Sequence, residues 1–404
     1  MKSAKLYLTL LWIVTCSVFT TLYILSLYNE NGVKTYQVVL KGREETIIDS
    51  CCPNITSKTD KDIASYTRIA SAQNSTELVR LQWKQKLFQE KPCKVDPSNL
   101  IGRFNLTKSV TVEEVTREKV ANKIKPGGVY RPHDCKSVGT VAIIIPYRER
   151  QTHLGITINL LHNLLQRQRR EYGIYVVEMN YPVQFNRGLL ANAGFLTARS
   201  IGNYSCYIIH DVDLVPMNDR NLYTCGPNPV HLVTSNTNWK NGLPYSDYVG
   251  GVIALTADQY EQINGFSNIY FGWGGEDDDL FKRIRENNMT IDRPLNHIGV
   301  YMALPHRDDS TNPANPYREL LVSQATNRMG RDGLNSMKYH RKALEFRPLY
   351  TWVLVECVES EVMENYIHLR ADSDLMVKRR DMKKPETVIQ PGDGRVYKFR
   401  HVKN

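Results

Sequence analysis

A chain of 404 residues with 42% hydrophobic and 23% charged residues can bury a sizeable core, so a disordered or fibrous protein is excluded. The net charge of +10 is dispersed along the chain and no RNA or DNA module accompanies it, which sets nucleic acid aside as a partner. The excess suits acidic partners or a membrane surface.

Residues 1–5 form a short basic tail carrying Lys2 and Lys5. Leu6 to Tyr28 is an apolar run without a charged residue, long enough to span a bilayer as a helix. Lysines before it and Glu30 after it hold the N-terminus in the cytoplasm and send the rest to the lumen. A cleaved signal peptide is the competing reading. The run is long for that, and Ser26-Leu27-Tyr28 lacks a small-x-small site. Residues 29–92 are polar with little periodicity and read as a stem. Sequons at Asn54, Asn74, Asn105, Asn203 and Asn288 fit a lumenal chain. Eight cysteines fit an oxidising compartment. With Cys16 in the anchor, seven remain, so at least one is free or bonded to another chain. Adjacent Cys51 and Cys52 suit a bridge between two stems, or are simply oxidised or acylated.

From Cys93 to Cys357 the composition is globular. Val141 to Ile145 reads as a buried strand, and Pro146-Tyr-Arg-Glu-Arg150 as a basic loop after it. Thr152 to Gln168 is a helix with Leu154, Ile158, Leu161 and Leu165 on one face. Ile174 to Val177 is a second strand, Phe185-Asn-Arg187 the loop after it, and Leu189 to Ala198 a helix. A third strand at Tyr207 to Ile209 ends in Asp211-Val-Asp213. Strands alternating with helices predict an α/β layer with a mostly parallel sheet, whose ligand loops lie at the carboxyl ends of the strands. Val249 to Leu255 is a further strand and Ala257 to Ile263 a short helix. Leu304 to Gln324 is rich in Pro, Asn, Asp and Ser and reads as a lid loop. Residues 358–404 form a peripheral extension, basic from Lys378.

Phe271-Gly-Trp-Gly-Gly-Glu-Asp-Asp-Asp-Leu-Phe281 places four carboxylates, Glu276 to Asp279, behind a Gly-rich aromatic segment. Carboxylates that close raise one another's pKa unless a cation or donors absorb the repulsion. One reading is a sugar-binding loop that grips hydroxyls and removes a proton. The other is the acidic first turn of a helix, favoured by its dipole, and both can hold together. Asp211 and Asp213, ending an apolar strand, offer hard oxygens to a divalent cation. If the strand continues, only one of them ligates. His306 would add an imidazole, a mixture that favours Mn over Mg.

Phe185-Asn-Arg187, His210-Asp-Val-Asp-Leu-Val-Pro216, Tyr248-Val-Gly-Gly251, Trp273-Gly-Gly-Glu-Asp-Asp-Asp279 and Asp332-Gly-Leu-Asn-Ser336 occur in this order. In these motifs and their spacing the chain resembles the beta-1,4-galactosyltransferase family over Cys93 to Cys357. The resemblance implies a GT-A-like nucleotide-sugar transferase fold, α/β with a mostly parallel central sheet, behind a transmembrane helix and stem. It implies a Golgi type II membrane enzyme with a lumenal catalytic domain at 93–357. The reaction would move galactose from UDP-galactose to the 4-hydroxyl of a terminal β-N-acetylglucosamine, with inversion. UDP would lie against Pro146, Tyr147, Arg148, Glu149, Arg150, Phe185, Asn186, Arg187, Val212 and Asp213, with Tyr248 and Trp273 at the donor sugar. Asp213 and His306 would hold Mn2+. The family's third ligand, a Met, falls at Ala303 here, with Met302 one place away. Asp277 matches the base, and Gly275, Glu276, Asp278 and Arg318 match acceptor contacts. Cys93–Cys135 and Cys206–Cys225 match the family's disulfides. A large Tyr248 disfavours an N-acetyl group on the donor, so N-acetylgalactosamine is the alternative donor, and xylose or glucosylceramide alternative acceptors. From another class, a glycan-binding protein that has lost catalysis finds support only in Ala303.

Overall fold

The protein is described from a computed structural model. It describes residues 91–94, 98–104, 115, 124–239, 242–305 and 312–369, with six strand segments outside these spans. The chain divides into two compact units, 1–89 and 90–404. In the first unit, β1 (Leu10–Leu11), β2 (Tyr23–Tyr28), β3 (Lys34–Leu40) and β4 (Arg43–Ile48) pair in sequence order, each antiparallel to the next. The described parts of the expected anchor are therefore strands, as are two segments of the expected stem. Apart from residues 91 and 92, the rest of both lies outside the described residues, with Cys51, Cys52, Asn54 and Asn74. Among the described residues no helix is long and apolar enough to cross a membrane.

The second unit is built on a seven-stranded sheet. Its strands are β5 (Thr140–Tyr147), β6 (Glu171–Met179), β7 (Cys206–His210), β9 (Val230–His231), β11 (Val252–Leu255), β13 (His340–Phe346) and β14 (Thr351–Glu356), in the order β13-β14-β6-β5-β7-β11-β9. β14, β6, β5 and β7 are parallel neighbours. β13 and β11 run against them, and β9 runs against β11. Five of the seven thus share one direction, the mostly parallel α/β sheet expected. β11 is shorter than the sequence suggested, because Gly250 and Gly251 stay outside the strand.

Side chains alternate across a strand, so β5 feeds two cores. Ala142 and Ile144 face one side with Val177, Ile209 and Ile253. Ile143 and Ile145 face the other with Ile174, Val176 and Ile208. Helix α1 (Gln151–Arg167) covers the second face with Leu154, Ile158, Leu161 and Leu165. Helix α2 (Arg187–Ile201) covers the first with Leu189, Leu190 and Phe195. Burial on both faces explains why the strands read as continuous apolar runs. A small sheet of β8 (Leu214–Pro216), β10 (Ser235–Asn236) and β12 (Val300–Ala303) stands beside the main one, in the order β10-β12-β8.

Helices α3 (Ala257–Gln262), α4 (Glu276–Glu286), α5 (Arg318–Ser323), α6 (Ala325–Arg328) and α7 (Glu359–Met363) follow. Two expectations change here. The lid-like stretch is not loop throughout, since its end winds into α5. The extension beyond Cys357 is not peripheral at its start, since Val362 and Met363 are buried in the first core. These two apolar residues sit in a charged sequence that hid them. Farther on, β15 (Thr387–Ile389) and β16 (Val396–Lys398) form a hairpin. Cys93–Cys135 and Cys206–Cys225 are bonded, and Cys357 is a buried free thiol. Of the sequons, Asn203 and Asn288 are exposed, and Asn105 lies outside the described residues.

Candidate active site

β5, β6 and β7 are parallel neighbours, so the loops after them emerge at one edge of the sheet. The first carries Arg148 and Arg150, the second Phe185 to Arg187, and the third Asp211 to Asp213. With the segment from Gly272 to Asp278 they enclose a cavity of about 590 Å3. Of the residues expected at the donor and acceptor, Pro146, Arg148, Arg150, Phe185, Arg187, Val212, Asp213, Tyr248, Trp273, Gly275, Glu276, Asp277, Asp278 and Arg318 all line it.

Three expected donor contacts do not. Tyr147 is buried in the core, and Glu149 is exposed and accepts from the Tyr181 hydroxyl at 2.9 Å. Strand alternation separates Pro146 from Tyr147, and beyond the strand a left-handed Glu149 at φ +46° lies between Arg148 and Arg150. Asn186 instead caps α2: its Oδ1 accepts from Leu189 N at 2.9 Å, and its Nδ2 donates to Asn268 O at 2.6 Å. That cap fixes Arg187 as the first residue of the helix.

Arg187 is the hinge of the site. Its Nε donates to Asp211 Oδ1 at 2.6 Å and its Nη1 to Asp277 Oδ1 at 2.7 Å. Its Nη2 is buried with no hydrogen-bond partner among the described residues. Burial works against the guanidinium charge, but Asp211, Asp277 and Glu276 outweigh it and raise the pKa. A continued strand was expected to let only one of Asp211 and Asp213 ligate, but residues two apart share one face of a strand. The strand ends at His210, and both carboxylates line the cavity from the turn that follows. Thr157 Oγ1 holds this turn by donating to Val212 O at 2.6 Å.

The acidic run holds two positions at once. It lines the cavity and it is the first turn of α4, whose N-cap is Gly275 at φ +98°, a left-handed conformation that suits glycine. Helix dipole and Arg187 offset the repulsion between the carboxylates. Burial, reinforced by Asp277, pushes the Glu276 carboxyl up to about 8. Its Oε2 is buried and has no hydrogen-bond partner among the described residues. Burial also pushes Asp277 up to about 6, against the downward pull of Arg187. Gly250 leaves room for this arrangement: a Cβ there would lie 2.4 Å from the Tyr248 hydroxyl and 2.5 Å from Asp277 Oδ2.

Aromatic side chains frame the mouth. Trp273 is 62% exposed and lies under the Arg318 guanidinium, 5.4 Å from its ring centroid. Its backbone is held by Trp273 N to Pro313 O and Asn315 N to Trp273 O, both 2.9 Å. Tyr248 packs edge-on against Trp239 and Tyr245, at 5.0 and 5.5 Å. Sequence reasoning missed Trp239, Tyr245 and Asn312, which also line the cavity. The Tyr245 hydroxyl donates to Asp278 Oδ1 at 2.7 Å. Three aromatics within the Gly- and Pro-containing stretch from Trp239 to Tyr248 were the available signal.

β12 pairs with β8 and brings Leu304 N onto Asp213 O at 2.8 Å. The segment leading to His306 therefore runs beside Asp213, although His306 itself lies outside the described residues. Ala303 packs toward the second core and offers no donor, and neither Met302 nor Ala303 lines the cavity. Strand alternation turns Met302 away from the side of Ala303. Among the described residues no group of three His, Cys, Asp or Glu side chains could hold a metal ion. Asp213 fits a cation, but the described residues alone do not complete its ligand set.

Residues 93–226 match the N-terminal region of glycosyl transferase group 7, and residues 230–307 match the N-terminal domain of galactosyltransferase. Fold and matches together define a glycosyltransferase. Beta-1,4-galactosyltransferase 4 of Cricetulus griseus is 41% identical over 296 residues, covering 73% of this chain and 85% of the relative. Beta-1,4-galactosyltransferase 2 of Homo sapiens is 43% identical over 263 residues, covering 64% and 70%. A solved structure of a Drosophila beta-1,4-galactosyltransferase 7 mutant with manganese, UDP-Gal and xylobiose is 26% identical. It covers 55% of this chain and 95% of its own, with a TM-score of 0.47. The chain belongs to the beta-1,4-galactosyltransferase family.

Proposed function

We propose that this protein transfers galactose from UDP-galactose to the 4-hydroxyl of a terminal β-N-acetylglucosamine, with inversion at the anomeric carbon. The observation that carries the proposal is the single cavity in which Arg148, Arg150 and Arg187 meet the carboxylates Glu276, Asp277 and Asp278. The named activity of relatives more than 40% identical supports the same reading.

The arginines take the diphosphate, whose negative charge grows as the bond to galactose breaks. Asp277 removes the proton of the attacking hydroxyl. A carboxylate held near 6 is ionised at neutral pH yet more basic than an ordinary Asp. Glu276, with a buried unpartnered oxygen, and Asp278 hold sugar hydroxyls or the acetamido group. Arg318 closes the acceptor side and Trp273 caps the donor. A divalent cation, Mn2+, would be held by Asp213 and His306, and when bound it supplies positive charge to the leaving diphosphate.

Protonation of Asp277 removes the base. As pH falls below about 6, kcat at saturating donor is expected to drop about tenfold per pH unit. A kcat profile flat from pH 7 to 4.5 would remove Asp277 from the role. Tyr248, wedged between Trp239 and Tyr245, restricts the space beside the donor sugar. Tyr248→Leu is expected to add transfer from UDP-N-acetylgalactosamine at a rate within about tenfold of galactose transfer, since the ring's volume is released. A donor screen on the parent tests the main proposal: transfer from UDP-N-acetylgalactosamine alone would overturn it.

The chain is further proposed to be a Golgi type II membrane protein, anchored by residues 6–28 with the catalytic domain lumenal. Support comes from the apolar run with its flanking lysines, the sequons and two disulfides, which persist in oxidising compartments. Cys51 and Cys52 would join two stems in a homodimer.

A further inference from the structure

Three of the four carboxylates that begin α4 line the cavity. The fourth, Asp279, is fully buried and turned away from it. Arg283 Nε donates to Asp279 Oδ1 at 2.5 Å, and Arg328 Nη2 donates to Asp279 Oδ2. Arg328 Nη1 reaches Asp332 Oδ2 at 2.7 Å, and Arg283 Nη1 donates to Asp332 O at 2.7 Å. Two arginines and two aspartates, all buried, thus neutralise one another. The Tyr270 hydroxyl donates to Asp279 Oδ2 at 2.9 Å and Arg328 Nη2 donates to Tyr270, also at 2.9 Å.

This quartet ties three walls of the cavity together. Asp279 fixes the turn that carries Glu276, Asp277 and Asp278. Arg328 Nη2 also donates to Leu321 O at 2.9 Å, in α5, the helix that begins with Arg318. Asp332 Oδ1 accepts from Asn268 N at 2.8 Å, and Asn268 O accepts from the Asn186 cap before Arg187. The motif at Asp332 to Ser336 finds its use here. Buried ion pairs are weak evidence for net stability, but they fix geometry where removing one partner is costly.

We infer that Arg328 is a positioning residue for the transfer reaction. Through Asp279 and Leu321 it holds the acidic turn and the Arg318 helix in one alignment. The inference rests on the proposed galactosyl transfer for its kinetic consequence, though not for its geometry. An alignment error of about 1 Å costs on the order of a hundredfold in rate.

The test compares Arg328→Lys with the parent in the full chain. Lysine keeps the charge but cannot serve Asp279, Asp332, Tyr270 and Leu321 at once. UDP titration counts competent sites, and transfer is then measured per site. The expected result is a kcat about a hundredfold lower with UDP affinity unchanged, and faster amide hydrogen exchange across residues 276–281. A kcat within threefold of the parent, or a loss matched by equal loss of UDP affinity, overturns it. If Arg328→Lys does not fold, Tyr270→Phe removes one strand of the network, and a kcat per site unchanged by it overturns the inference. Should the parent transfer no galactose, the proposed reaction fails, while hydrogen exchange still decides the positioning: unchanged exchange across residues 276–281 overturns it.

Discussion

Asp277→Asn is expected to lower kcat about a thousandfold while leaving UDP affinity within a factor of two. The amide cannot accept the acceptor's proton, yet it still fills the same volume above Gly250 and can still face Arg187 through its carbonyl. The expected split follows from the layout of the site. Asp277 stands at the start of α4, whereas the diphosphate is assigned to arginines from the loops after β5 and β6. Isothermal titration with UDP, beside initial rates with UDP-galactose, checks the split. A variant that loses UDP affinity as steeply as turnover would place Asp277 in donor binding.

Asp213→Ala is expected to abolish turnover and weaken manganese-dependent UDP binding about a hundredfold or more. Changing a group that only hydrogen-bonds to a metal ligand costs about ten- to a hundredfold in metal affinity, and loss of a ligand costs at least as much. The effect should be sharper here because Ala303 contributes no donor and neither Met302 nor Ala303 lines the cavity. The measurement is UDP affinity with and without manganese. A variant whose UDP affinity still rises with manganese as in the parent would take Asp213 out of the metal site.

Much of this arrangement was legible in the chain because burial leaves a period. Val141 to Ile145 alternates between two cores, so it reads as a continuous apolar run, and the adjoining loop residues identify the ligand edge. Leu154, Ile158, Leu161 and Leu165, spaced by four, three and four, announced a helix with one buried face. Three features were hidden. The direction of β11 is set by its pairing with β7, which no local pattern encodes. The fate of Asp279 depends on Arg283, one turn on, and on Arg328, 49 residues away, so its sequence looks like that of its cavity-facing neighbours. The turn after His210 brings Asp211 onto Arg187, a partner 24 residues back in the chain. In each case the missing information is a long-range contact, and the family resemblance supplied residue roles without supplying that geometry.

The central claim is that the acceptor hydroxyl, stripped of its proton by Asp277, displaces the diphosphate in one step from the opposite face of the sugar. The most direct measurement is the anomeric configuration of the product made from UDP-α-galactose and a β-N-acetylglucosaminide, read from the proton coupling at the new glycosidic carbon. A β-1,4-linked galactose is the predicted result. An α-linked product would mean two displacements or front-face attack, and would contradict the assignment of a single base across the cavity.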